Sequence, residues 1–163
     1  AWGAQAPVLE FVGCGELRAA LEARARAAGA LERLLVSGSL SPAEAMQRVA
    51  GAKALVFPSR WYETFGLVIG EAFARGLPAF GSNIGGVPEL IRPGHTGALV
   101  APGDASALLA TLRAHWNDTA LQTLGQGALE FHREHLDPAR GLWAQEALYE
   151  DARRACAQRS VAA

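Results

Sequence analysis

Five short apolar runs, each followed by a break and then by a helix-forming or turn stretch, constrain this chain more than any other feature. They are PVLEFVG (7–13), ERLLVSG (32–38), KALVFPS (53–59), LPAFGSN (77–83) and TGALVAP (96–102). Their apolar residues run together rather than alternate, as strands buried on both faces require. The stretches between them read as helices. GELRAALEARARAAGA (15–30) is rich in Ala, Leu, Glu and Arg, with Gly29 placed to stop it. SPAEAMQRVAG (41–51) opens with Ser41 as N-cap, Pro42 at the first helical position and Glu44 completing a capping box. GLVIGEAFARG (66–76) is a third helix, and GGVPELI (85–91) gives a tight turn and a short fourth. From Asp104, an N-cap, the pattern is helical only, with a break at Asp137-Pro138. Strands alternating with helices predict an α/β fold: a Rossmann-like parallel sheet with helices on both faces.

No internal repeat or linker interrupts the 163 residues, so one domain spanning 1–163 is expected, long enough to bury a core. Net charge is −1, which gives no bulk attraction to nucleic acid or anionic membrane. No apolar run is long enough for a bilayer span, and no signal peptide is recognisable. A cytoplasmic location is expected. Cys14 and Cys156 read better as free thiols of a reducing compartment, although they could also pair. The chain starts at an alanine, and a fragment is expected.

The stretch ETFGLVIGE places Glu63 and Glu71 around an apolar, glycine-containing run. Glu63 falls just past the carboxyl end of the third strand, where open α/β sheets bind ligands. Beyond it a helix starts near Gly66, and the first amides, around Phe65, Gly66 and Leu67, lack intrahelical partners and suit an anion. Glu71 lies about 7–8 Å further along the helix axis, at 1.5 Å per residue. Carboxylates accept hydrogen bonds from vicinal hydroxyls. A ligand with hydroxyls at both ends and a diphosphate between them, such as a nucleoside diphosphate sugar, has the matching layout.

The segment PSRWYETFGLVIGEAFARGLPAFGSNIGGVPELI (58–91) resembles the donor-binding signature of the retaining glycosyltransferases of GT-B fold, in their large family 4 group. FVGCGELRAAL and GGVPELIRPGHTGALVAPGDASALLATL resemble further elements of it, so the resemblance covers roughly residues 8 to 155. It implies the C-terminal, donor-binding half of a GT-B enzyme, transferring sugar from a nucleotide-sugar donor in glycan, lipopolysaccharide or glycolipid synthesis. Glu63 resembles the catalytic glutamate that contacts the donor sugar. Thr64, Phe65, Gly66 and Leu67 resemble the stretch that binds sugar hydroxyls and phosphate. Glu71 resembles the glutamate that grips the ribose, and Ser39 and Leu40 are the nearest candidates beside the nucleobase. No Asp-x-Asp signature appears, so no metal or other cofactor is expected.

The chain departs from the family in three ways. The arginine and lysine that neutralise the diphosphate are expected before Ala1. The acceptor-binding N-terminal domain, through which any membrane contact is expected, is missing, so the chain alone is expected not to transfer sugar. A usual Gly-x-Gly-Pro turn reads Gly13-Cys14-Gly15-Glu16.

Two alternatives stay open: a non-catalytic nucleotide-sugar-binding module, and another GT-B enzyme such as a sugar-nucleotide epimerase. A phosphorylase would need a pyridoxal-phosphate lysine, and the one lysine, Lys53, sits at a strand start. Plainer readings stand beside these roles. A glutamate at a helix start is usually a solvated partner of the dipole. Gly85-Gly86 reads mainly as a turn, Trp61 and Tyr62 as loop packing or stacking residues, and Cys14 as a small buried residue. His132 and His135 have no third ligand for zinc.

Overall fold

The computed structural model describes residue 2 and residues 6–161. These form two compact units, Ala1–Arg48 and Val49–Ala163.

In the first unit, strand β1 (Leu9–Val12) pairs in parallel with β2 (Leu34–Gly38), Leu9 opposite Leu34 and Phe11 opposite Val36. Helix α1 (Arg18–Ala27) connects them and ends at Gly29, whose φ of +63° closes the helix as its position predicts. Residues Leu31–Arg33 form a 3₁₀ turn rather than the start of the expected strand. Glu10 accepts a hydrogen bond from the Ser37 hydroxyl and lies 3.6 Å from Arg48. Helix α2 (Pro42–Ala50) carries the predicted capping box: the Ser41 amide donates to Glu44 Oε2 at 2.9 Å, and the Glu44 amide to Ser41 Oγ at 3.3 Å.

The second unit contains a three-stranded parallel sheet in the order β3 (Leu55–Phe57), β4 (Ala79–Ser82), β5 (Gly97–Val100). Leu55 stands opposite Ala79, and Ala79 opposite Gly97. Successive residues of a strand face opposite sides, and β4 shows what this achieves. Ala79 joins a cluster with Ile69 and Phe73 of α3 (Leu67–Phe73), Val87 and Leu90 of α4 (Val87–Leu90), and Ala128 and Phe131 of α6 (Asp118–Phe131). Phe80 joins another with Leu121 and Leu124 of α6 and, from α5 (Ala105–His115), Leu108 and Leu112. Helices therefore cover both faces, as the continuous apolar runs require. Helix α6 serves both clusters, its first half one and its second half the other. It lies so close to the turn after α3 that a Cβ on Gly125 would stand 2.2 Å from the Gly76 carbonyl oxygen.

Asp104 caps α5 as expected, accepting from the Ala107 amide at 2.8 Å. Asn117 caps α6 in the same way. A π-helical segment, His132–Leu136, follows α6, and then α7 (Pro138–Val161), whose first turn is capped by Asp137 accepting from the Ala139 amide. Cys14 is exposed, not buried: it lies in the loop after β1, outside any cluster of apolar side chains. Cys14 and Cys156 are both unbridged. No described helix is long and apolar enough to cross a membrane.

Candidate functional site

Parallel strands bring their carboxyl ends to one edge of the sheet, and in the second unit the three loops leaving that edge meet. The loop after β3 begins with Pro58 and carries Glu63. The loop after β4 carries the Gly85-Gly86 turn, and the Gly86 amide donates to the Glu63 carbonyl at 2.7 Å. The loop after β5 reaches the first through Gly103, where a Cβ would lie 3.7 Å from Arg60 Nε. The Asn83 amide, just past β4, donates to Val100 O at the end of β5.

The approach of the glycine turn to the Glu63 loop is close. A Cβ on Gly85 would stand 2.4 Å from the Glu63 carbonyl oxygen, and one on Gly86 2.5 Å from that of Thr64. Gly85 also has φ of +57°, so two independent demands select glycine there. The carboxylate itself is half-buried and accepts from the Ser59 hydroxyl at 3.2 Å on Oε1. Ser59 Oγ in turn accepts from the Trp61 amide at 3.2 Å, which makes a small closed turn.

Helix α3 begins one residue later than expected, at Leu67, because Gly66 adopts a left-handed conformation (φ +77°, ψ +59°) as its N-cap, and it ends at Phe73 rather than 76, residues 74–76 forming a turn. Only glycine takes that conformation cheaply, so Gly66 has a backbone reason as well as the proposed ligand approach. Phe65 consequently lies ahead of the cap, and its amide is not one of the helix amides. With seven residues, α3 offers its first-turn N–H groups but little accumulated dipole. Glu71 is exposed, on the fifth residue of α3, with no hydrogen-bond or ion-pair partner among the described residues. Opposite it in sequence register, Gly70 packs toward Leu136 of the π-helical segment: a Cβ there would lie 3.5 Å from Leu136 Cδ1.

The second unit thus brings Glu63, Thr64, Phe65, Gly66, Leu67 and Glu71 onto one loop and the helix it feeds. Ser39 and Leu40 belong to the first unit, directly after β2, Ser39 exposed and Leu40 half-buried. Trp61 and Tyr62 are 82% and 85% exposed, so loop packing is not what they do. Glu89 sits in the first turn of α4. His135 packs against Phe131 with the rings tilted 53° and 4.7 Å between centroids, Arg92 lies over the same Phe131 ring at 4.5 Å, and no described cluster of His, Cys, Asp or Glu is arranged to hold a metal.

Sequence reasoning passed over Ser59 and undervalued Gly85-Gly86. Ser59 had no signal of its own. The paired glycines did, immediately beyond a strand end, but a turn satisfied it.

Comparison with known proteins agrees with this architecture. The profile of the family described as glycosyl transferases group 1 matches residues 4–125. Among curated proteins, the glycogen synthase of Mycobacterium tuberculosis is 43% identical over 83 residues, covering 51% of this chain and 20% of that protein. Among solved structures, the sucrose-phosphate synthase of Thermosynechococcus elongatus superposes with a TM-score of 0.79 at 27% identity, over 90% of this chain and 39% of that one. HepE of Anabaena in complex with UDP-glucose superposes with a TM-score of 0.76 at 24% identity, over 88% of this chain and 41% of that one. The chain thus spans well under half the length of these relatives.

Proposed function

This chain belongs to the glycosyl transferases group 1 family, and on that premise we propose that residues 1–163 are the nucleotide-sugar donor-binding domain of a retaining glycosyltransferase. The observation that carries the reading is the setting of the two glutamates. One is half-buried at the carboxyl edge of a parallel sheet, held by Ser59 of its own loop and by the glycine turn of the loop after β4. The other is exposed and unpartnered on the helix that the first one's loop leads into.

Departure of a diphosphate from the anomeric carbon leaves positive charge on the sugar and negative charge on the phosphate. The Glu63 carboxylate answers the first. The amides at the start of α3 answer the second, and electrostatic groups fixed in advance of the reaction are the most effective kind. Glu71 is free to accept hydrogen bonds from the ribose hydroxyls. Thr64, Phe65, Gly66 and Leu67 supply backbone between the two carboxylates, with Gly66 leaving room for phosphate. No metal takes part in this scheme.

HepE has been solved with UDP-glucose and with UDP, so these two ligands are the first to test. In calorimetric titration, Glu71→Gln is expected to weaken both about tenfold, the lower end of what a charge-assisted hydrogen bond contributes. Glu63→Gln is expected to weaken UDP-glucose and leave UDP nearly unchanged, since UDP has no sugar for it to contact. Equal losses for both ligands at Glu63, or none at Glu71, would reverse the assignment of the two carboxylates.

A further inference from the structure

Resting on the donor-binding reading, we propose that Ser59 and the Gly85-Gly86 pair are positioning residues that hold Glu63 in place for the donor sugar. Backbone and side chain are held separately. The backbone is gripped by the glycine turn: the Gly86 amide donates to the Glu63 carbonyl, and the two missing Cβ atoms are what allow the turn to lie against Glu63 and Thr64. The obstructing atoms all belong to the main chain of Tyr62, Glu63 and Thr64, with no flexible side chain to swing aside. A methyl group at either glycine therefore moves the Glu63 segment or the turn itself. Ångström-scale misplacement of a catalytic group is enough to lose most of its effect.

The side chain is held by Ser59. Its hydroxyl has one proton, shared between Glu63 Oε1 at 3.2 Å and the Trp61 carbonyl at 3.4 Å, while its oxygen accepts from the Trp61 amide. The hydroxyl is thus anchored by the loop that carries the carboxylate, and turns the loop's conformation into a carboxylate orientation. No described residue holds the Glu71 side chain in this way, so the two glutamates differ in their support as well as in place.

The test is calorimetric titration of variants of this chain with UDP and UDP-glucose, reading the ratio of the two affinities rather than either alone. Gly86→Ala is expected to lower the ratio about tenfold, and Ser59→Ala about threefold, less than the roughly tenfold of a direct hydrogen bond to a charged group because Ser59 acts on the sugar only through Glu63. UDP binding should change little in Ser59→Ala, and in Gly86→Ala, whose new Cβ also meets the Thr64 carbonyl, it should fall less than UDP-glucose binding. Ser59→Thr keeps the hydroxyl and should restore the ratio. Gly94→Ala is the control for general backbone strain. Its φ is +76°, but a Cβ there meets nothing within 4 Å, so the ratio should hold even as stability falls. If Gly86→Ala fails to fold, the Ser59 pair decides. A wild-type ratio that survives Ser59→Ala, or is lost equally in Ser59→Ala and Ser59→Thr, overturns the positioning role alone. A wild-type chain that binds UDP-glucose no more tightly than UDP overturns the sugar-contacting role of Glu63, and this assignment with it.

Discussion

The two compact units treat similar sequence differently. In Ala1–Arg48 no described residue is buried, and Leu9, Phe11 and Val12 of β1 remain 45%, 41% and 45% exposed. In Val49–Ala163 every residue of β4 is buried, and Phe73 and Phe80 have no exposed surface. The runs behind these strands are alike on paper. The difference lies in what surrounds them. Strand β4 has a partner on each side and helices over each face, whereas among the described residues β1 and β2 pair with each other. Parallel strands are stable when both faces are covered, and two strands alone cover little. An apolar run therefore states what a strand requires, and the number of neighbours decides whether the requirement is met.

Cutting equivalent side chains from the two units should give the largest contrast. Phe80→Ala removes a fully buried ring from the middle of a core and should cost about 3–5 kcal/mol. Phe11→Ala removes a ring that is already partly in water, and should cost about 1–1.5 kcal/mol, roughly half of a full transfer value. Urea unfolding of the two variants measures this. Equal losses would mean that the first unit has a core as tight as the second.

Glycine to alanine changes should separate the units by sign. At Gly125 the new Cβ would meet the Gly76 carbonyl, and this clash outweighs a helix-propensity gain of about 1 kcal/mol. A net loss of roughly 1–2 kcal/mol is expected. At Gly15, in the first unit, a Cβ meets nothing within 4 Å and φ is not in the left-handed region. There Gly15→Ala should be neutral or stabilise by up to about 0.5–1 kcal/mol, through reduced freedom of the unfolded chain. Thermal unfolding of both variants gives the signs directly.

Much of the fold was legible because its signals are local. All five apolar runs contain a strand, and the caps at Ser41 and Asp104 form as their side chains predict. Glu63 could be placed past a strand end and Glu71 on a helix for the same reason. What could not be read depends on contacts between distant residues. The Gly86–Glu63 bond joins positions 23 apart, and no pattern within one segment announces it. Ser59 acts through a side chain four residues away in an irregular loop, where periodicity says nothing. Cys14 reads as a core residue because free cysteine is among the most buried residue types, yet the loop that carries it lies at the surface. The left-handed Gly66 set the start of α3 by a conformational choice that glycine permits without requiring.

The smallest expected effects come from two exposed carboxylates, one in each unit. The hydrogen bonds from the Ser41 hydroxyl and amide hold the Glu44 carboxyl below its ordinary value, with Arg48 adding a little. The hydrogen bond and charge of Lys53, whose Nζ is 2.7 Å from Oδ1, do the same for Asp118. Both folded values are depressed, so each group's contribution is present above its unfolded pKa, about 4.3 for Glu and 3.9 for Asp. It is lost as pH falls through the depressed folded value. Both effects are confined to acid conditions, and neither acts near neutral pH. They should part company in salt. Lys53 and Asp118 form an exposed ion pair, which added salt screens, so the Asp118 value should climb toward its ordinary position at high ionic strength. The Glu44 shift rests first on hydrogen bonds at a helix cap, made at contact distance, and should move much less. Titration of the side-chain carboxyl resonances by NMR at low and high salt would compare them directly. Ser41→Ala should release Glu44 in part, since the amide of residue 41 remains, and leave Asp118 where it was, and Lys53→Met should release Asp118 and leave Glu44. A Glu44 value that follows salt as closely as Asp118 does would place its cause in Arg48 and leave the capping box of α2 without the role given to it here.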